Sequence, residues 1–88
     1  QMKNDSVIIE IVCPATSRTY DFVICTQMNI RDVIEKVSDE IMEFEVNKSL
    51  FTDVNLLELF SDFYKSSLNK NLKIYDYNIK SGCRLMLV

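Results

Sequence analysis

Residues 68–88 read LNKNLKIYDYNIKSGCRLMLV, and this stretch decides the fold. It opens as a polar loop from Leu68. A short packed turn follows around Ile74, Tyr77 and Ile79. The chain's only glycine, Gly82, then makes a tight turn into an alternating strand. In that strand Leu85 and Leu87 take one face, and Arg84, Met86 and Val88 take the other. Period-two alternation of this kind marks a strand with one face buried.

The strand needs partners upstream, and Ser6–Cys13 (SVIIEIVC) supplies the first. Alternation places Val7, Ile9, Ile11 and Cys13 on one face, with Ile8, Glu10 and Val12 on the other. The charge at Glu10 identifies the second face as the wet one. Pro14 ends the strand because it cannot donate to a ladder. A second strand over Thr19–Cys25 turns Tyr20, Phe22 and Ile24 inward and Asp21, Val23 and Cys25 outward. Matching of faces predicts the pairs Ile9–Ile24, Ile11–Phe22 and Cys13–Tyr20.

Between hairpin and closing strand lies a helical pattern. Ile30, Val33, Ile34, Val37, Ile41 and Phe44 recur at helical spacing, with charged residues filling most of the positions between. Asn29 is the expected N-cap, and Asp32 suits the positive first turn. Asp32 and Lys36 are spaced for an ion pair. A helix with one apolar stripe must lie across a sheet or another helix. The connection from Val46 to Asn55 is irregular, and Leu50 and Phe51 are expected to cover a core edge. Leu56–Phe60 is expected as a strand, with Leu57 and Leu59 inward and Glu58 and Phe60 outward. Phe63, Tyr64 and Leu68 suggest a brief edge strand or turn. The predicted architecture is α+β: a mixed sheet of four to five strands with one main helix packed across it.

Eighty-eight residues make one domain, 1–88. A chain of this size buries only about 60–65% of its unfolded surface, so its stability is modest. Hydrophobic residues make up 48% of the chain, enough to support a core and argue against disorder. Residues 1–5 are expected to be frayed. Gln1 precedes Met2, so Gln1 is expected to be an added residue and Met2 the natural start. No apolar run approaches the roughly 18 residues of a membrane span, and no leader resembles a signal peptide. The expected location is cytoplasmic.

The net charge of −3 and the scattered lysines and arginines argue against a nucleic-acid partner. The odd set Cys13, Cys25 and Cys83 has no CxxC spacing, which argues against a disulfide framework or a zinc site. There is no histidine, which removes most hydrolytic triads and the commonest metal ligand. One glycine cannot build a phosphate-cradling loop. Asp39, Glu40, Glu43 and Glu45 read as a solvated helix face rather than a metal site. No catalytic, cofactor-binding or metal residue is expected, and the chain is expected not to be an enzyme.

The order hairpin, helix, strand, edge element, packed turn, strand resembles ubiquitin and its β-grasp relatives. The clearest local match is Tyr75–Val88, YDYNIKSGCRLMLV, which is similar to ubiquitin's tyrosine–asparagine–isoleucine turn and final strand. That resemblance implies a hydroxyl-to-backbone bond from Tyr77 closing the loop. The hairpin IEIVCPATSRTYDFVI (Ile9–Ile24), together with Leu68–Val88, resembles the small bacterial YukD/EsaB-type proteins. These are ubiquitin-like components associated with type VII (ESAT-6/WXG100) secretion systems. The chain departs from the pattern at Lys70 and Asn71, where more turn-like residues would stand, and in a connection longer than ubiquitin's at 46–55. Richness in Asn, Lys, Ile and Asp fits an AT-rich bacterial genome.

The resemblance implies a non-catalytic module that binds proteins, including secretion-system components, with the oligomeric state left open. Its expected docking surface is the outer sheet face, where Ile8, Val12, Val23, Phe60, Met86 and Val88 gather with Glu10, Asp21, Glu58 and Arg84 at the rim. A conjugating modifier or sulfur carrier needs a C-terminal glycine pair, and Val88 stands there instead. The alternatives are such a modifier with its tail missing, or a ubiquitin-like domain cut from a larger protein.

Overall fold

A computed structural model describes residues 5–88; the expected fraying of residues 1–4 lies outside the described residues. Asp5 is tied down, its carbonyl accepting a bond from the Thr26 amide at 2.6 Å. Strands β1 (Ser6–Cys13) and β2 (Arg18–Cys25) form an antiparallel hairpin. The pairing differs from the expected register by two residues: Ile9 faces Phe22, Ile11 faces Tyr20 and Cys13 faces Arg18. A shift of two leaves every side chain on its intended face, so hydrophobic matching cannot distinguish the two registers. The turn decides between them. Thr16 and Ser17 donate back to Cys13 and Pro14, and Ser17 adopts φ 58°, so the chain reverses sooner than the six-residue loop of the expected pairing.

Helix α1 (Ile30–Phe44) follows, burying Ile30, Val33, Ile34, Val37 and Ile41. Asn29 occupies the N-cap position but makes no side-chain cap bond. Loop carbonyls do that work instead: the Ile30 amide donates to Leu72 at 2.7 Å and the Arg31 amide to Lys70 at 3.2 Å. Either solution satisfies amides that an isolated helix would leave open. The expected Asp32–Lys36 pair is replaced by Lys36–Glu40, at 2.6 Å. Phe44 was expected inward but is 68% exposed; it rests edge-on against Tyr20 with ring centres 6.0 Å apart.

The helix ends in a Schellman turn. The Val46 amide donates to Glu43 and the Asn47 amide to Met42, with Val46 at φ 53°. Glycine usually fills this left-handed position, and a β-branched residue there is strained. Val46 is 89% exposed, so little packing offsets the strain. Val46→Gly is therefore expected to raise stability by about 1 kcal/mol, the left-handed penalty less glycine's chain entropy. A urea midpoint that falls instead would refute this reading of the turn.

From Val46 onward the chain covers one edge of the core with half-buried Leu50 and Phe51. Leu56 was expected in a strand, but it closes a 3-10 turn over Val54–Leu56 and is 75% exposed. The Asp53 carboxylate accepts from the Asn55 amide at 3.0 Å, a local bond that diverts the backbone before the strand can begin. Strand β3 (Leu59–Ser61) starts three residues later and leads into β4 (Ser66–Ser67). After a second 3-10 turn, Ile74–Asp76, the chain enters β5 (Arg84–Leu87). Gly82 takes φ 93° at the entry, a conformation open to glycine and costly for other residues.

The sheet order is β2-β1-β5-β3-β4. β5 runs parallel to β1 and antiparallel to β3. α1 lies across one face, where Ile9, Ile11, Ile24, Leu59, Leu85 and Leu87 form the core floor. Leu68 and Ile74 close its side. The Tyr77 hydroxyl accepts a bond from the Asn69 amide at 2.7 Å, the loop closure that the resemblance implied.

Candidate protein-binding face

Pairing positions the outer face residue by residue. Val12 sits beside Met86, and Met86 sits opposite Phe60. These three make one apolar row across β1, β5 and β3. Val88 extends it: Val88 and Glu58 exchange backbone bonds of 2.7 and 3.0 Å. Ile8 and Val23 face each other at the far end of the hairpin. Between the two groups runs a charged row, Asp21–Glu10–Arg84. Two carboxylates placed directly across a ladder repel, and Arg84 relieves this by donating to Glu10 at 2.9 Å. The six expected residues therefore share a face without forming one patch. Val12, Phe60, Met86 and Val88 stand apart from Ile8 and Val23.

The apolar row borders a groove of about 760 Å³. It exists because the β3–β5 ladder stops at Phe60–Met86. Beyond that pair the strands diverge, and the Asp62–Lys65 turn rises on one side with Asn78–Cys83 on the other. Phe63, Tyr64 and Ile79 complete the apolar lining. The walls are tied together, since the Asn78 amide donates to the Tyr64 hydroxyl at 3.0 Å and the Tyr64 amide donates to buried Ser61 Oγ at 3.1 Å. Phe63, Tyr64 and Tyr77 meet edge to face, with centroids 5.0 and 5.2 Å apart. Phe63 is nevertheless 79% exposed.

The sequence reading of the face omitted Phe63, Tyr64 and Ile79. The available signal was two adjacent aromatics inside the polar run SDFYKSS, where no strand is long enough to bury both.

Cys13 is buried, Cys25 is exposed and Cys83 is half-buried, all as free thiols. Burial pushes the Cys83 thiol up, which keeps it protonated and a poor nucleophile at neutral pH. On the opposite side of the molecule, burial and the bond donated to Glu45 push the Tyr20 hydroxyl up. Thr16 Oγ1 lies 2.8 Å from the same hydroxyl, and Arg18 Nε lies 3.5 Å from Glu45. This network joins the hairpin turn to the end of α1. Among the described residues, no three acidic or thiol groups converge as a metal site requires, and no helix is long and apolar enough to cross a membrane.

Solved structures share the whole architecture. A designed protein based on ubiquitin is 20% identical, with 98% of this chain and 90% of that one covered at a TM-score of 0.69. A protein described as a molecular mimic of SUMO that promotes DNA repair is 11% identical, covering 100% and 96%, at 0.76. The ubiquitin-like domain of Plasmodium falciparum Dsk2 is 10% identical, covering 94% and 96%, at 0.71. Identities this low establish the fold alone, and the fold is the ubiquitin-like β-grasp. No protein-family model and no curated protein matches the chain.

Proposed function

We propose that the chain is a non-catalytic ubiquitin-like module that docks a protein partner on its outer sheet face. The carrying observation is the row Val12, Met86 and Phe60 opening into a groove with Phe63 and Tyr64 on its wall. Seating about 200 Å² of partner apolar surface there supplies about 5 kcal/mol at 25 cal/mol/Å². Association itself costs roughly 4–15 kcal/mol. The groove alone therefore supports a transient contact, and a lasting complex must extend over Val88 and recruit the outlying Ile8 and Val23.

The likeness of Ile9–Ile24 and Leu68–Val88 to YukD/EsaB-type proteins supports a finer reading. In it the module is a cytoplasmic accessory of a bacterial type VII secretion system, and its partner is a component of that apparatus. The test is affinity capture from bacteria carrying such an apparatus, comparing wild type with Phe60→Asp plus Met86→Asp. Loss of at least about tenfold in captured secretion components, with an unchanged melting curve, is expected, since ten-fold corresponds to one well-packed contact. Equal recovery by the folded double variant rejects the face. Capture that depends on the face but brings no secretion component rejects the finer reading only.

A further inference from the structure

The seam between β1 and β5 carries matched partners. Glu10 sits beside Arg84, and Val12 beside Met86. Each of these rows therefore holds two residues that attract one another, an acid with a base or one apolar group with another. Consider a two-fold axis in the plane of contact, running along this seam. It exchanges β1 and β5 and leaves the rows in place. Glu10 of each copy then lies over Arg84 of the other, and Val12 of each over Met86 of the other. Stacked sheets cross at about 30°, and residues this close to the axis keep their partners through such a rotation. A two-fold interface needs a surface complementary to itself, and the seam supplies one.

The flanks follow the same rule. β2 of one copy lies over β3 and the groove of the other. Asp21 and Val23, both exposed on β2, then stand over the groove walls, which carry Lys80 and Phe63. Among the described residues no base pairs with Asp21 and no acid with Lys80, whereas Glu58 and Asp62 are held by Lys70 and Lys65. The charges left over at this face are thus opposite in sign and lie on opposite sides of the seam. A partner of one charge sign meets either Glu10 or Arg84 as a like charge, a mismatch that a second copy avoids. A stable dimer buries about 800 Å² per partner, about one-seventh of the 5781 Å² this chain exposes. The groove alone falls well short of that. The two-fold arrangement engages both apolar groups at once, because Ile8 and Val23 meet the groove side of the other copy.

We propose that two copies of this chain dock through their outer sheet faces, related by a two-fold axis along the β1–β5 seam. Crossed Glu10–Arg84 pairs fix the register, Val12 and Met86 form the dry centre, and Phe63 of each copy covers Val23 of the other. The dimer rests on the outer face being a contact surface, as in the proposed function, and makes a second copy its occupant.

Sedimentation equilibrium of the full chain from micromolar to millimolar concentration should show reversible exchange between monomer and dimer. Phe63→Ser, outside every strand, should weaken the dimer at least about fivefold. Glu10→Arg puts two bases in each seam and Arg84→Glu two acids. Each variant alone should dimerise at least about tenfold more weakly. Mixed in equal amounts the two should associate again, because the basic seam of one faces the acidic seam of the other. All variants must keep a cooperative melting transition; if Arg84→Glu loses it, Glu10→Arg and Phe63→Ser decide. The proposal is overturned by a monomer at every concentration, by a dimer indifferent to these substitutions, or by a mixture no tighter than its components. A monomeric wild type whose captured partner is lost in Phe60→Asp plus Met86→Asp rejects the dimer and keeps the proposed function. A dimer that needs this face, with capture unchanged in that double variant, does the reverse.

Discussion

Replacing Ile11 with alanine is expected to destabilise the domain by about 3 kcal/mol, within the range for burying a cavity where an isoleucine stood. Ile11 lies in the middle of β1, with Tyr20 across one ladder and Leu85 across the other. It is fully buried under α1. Strands on both sides hold the backbone, so the site cannot collapse to fill the void. Domains of this class have total stabilities of about 5–15 kcal/mol, and small ones lie low in that range. The loss is then a large share of the whole, and the melting temperature should fall by roughly 12–24 °C. Val23→Ala, on the exposed side of β2, serves as the control and should stay within about 0.5 kcal/mol. A shift below about 1 kcal/mol for Ile11→Ala would mean the core is looser than this packing implies.

The second large effect is expected at Ile74→Ala, again about 3 kcal/mol. One-turn helices in loops rarely matter this much to stability. Here the turn closes the core's side, and Ile74 is fully buried. Its first residues are pinned reciprocally, the Lys73 amide to the Asp76 carboxylate at 2.9 Å and the Asp76 amide to the Lys73 carbonyl at 3.0 Å. The same segment holds the helix start, since Leu72 and Lys70 carry the carbonyls that receive the Ile30 and Arg31 amides. Loosening Ile74 should therefore speed hydrogen exchange at Ile30 and Arg31 more than at Val37. Uniform acceleration along α1 would show that the loop and the helix start are not coupled. Tyr75→Ala, one residue on and largely exposed, should cost little.

Where periodicity was strict, the fold was legible. The alternation of Ile9 and Ile11, and of Leu85 and Leu87, defined the inner faces of β1 and β5. The helical spacing of Ile30, Val33, Ile34, Val37 and Ile41 defined α1 to the residue. Features set by backbone geometry were not legible. The hairpin register depends on a left-handed Ser17, which leaves no trace in the hydrophobic pattern. The late start of β3 depends on one carboxylate bond at Asp53. Phe44 continues the helical period yet rests on Tyr20 at the rim. The outer-face groove was invisible for a related reason: it arises where β3 and β5 stop pairing, and side-chain pattern reports pairing far better than its end.

The parallel seam between β1 and β5 joins Glu10 to Arg84, 74 positions apart, and β5 fills the slot between β1 and β3. Synthesis at about 5–20 residues per second leaves β1 waiting several seconds for that neighbour. Until residues 84–87 emerge, the newborn chain is two half-sheets with a vacant middle, and the facing edges of both are open to pairing with other chains. A nascent polypeptide stalled before Arg84 should consequently behave as an aggregation-prone fragment, whereas completion of a few more codons converts it into a closed unit. The hazard of misassembly is thus concentrated in the interval before residues 84–87 are made.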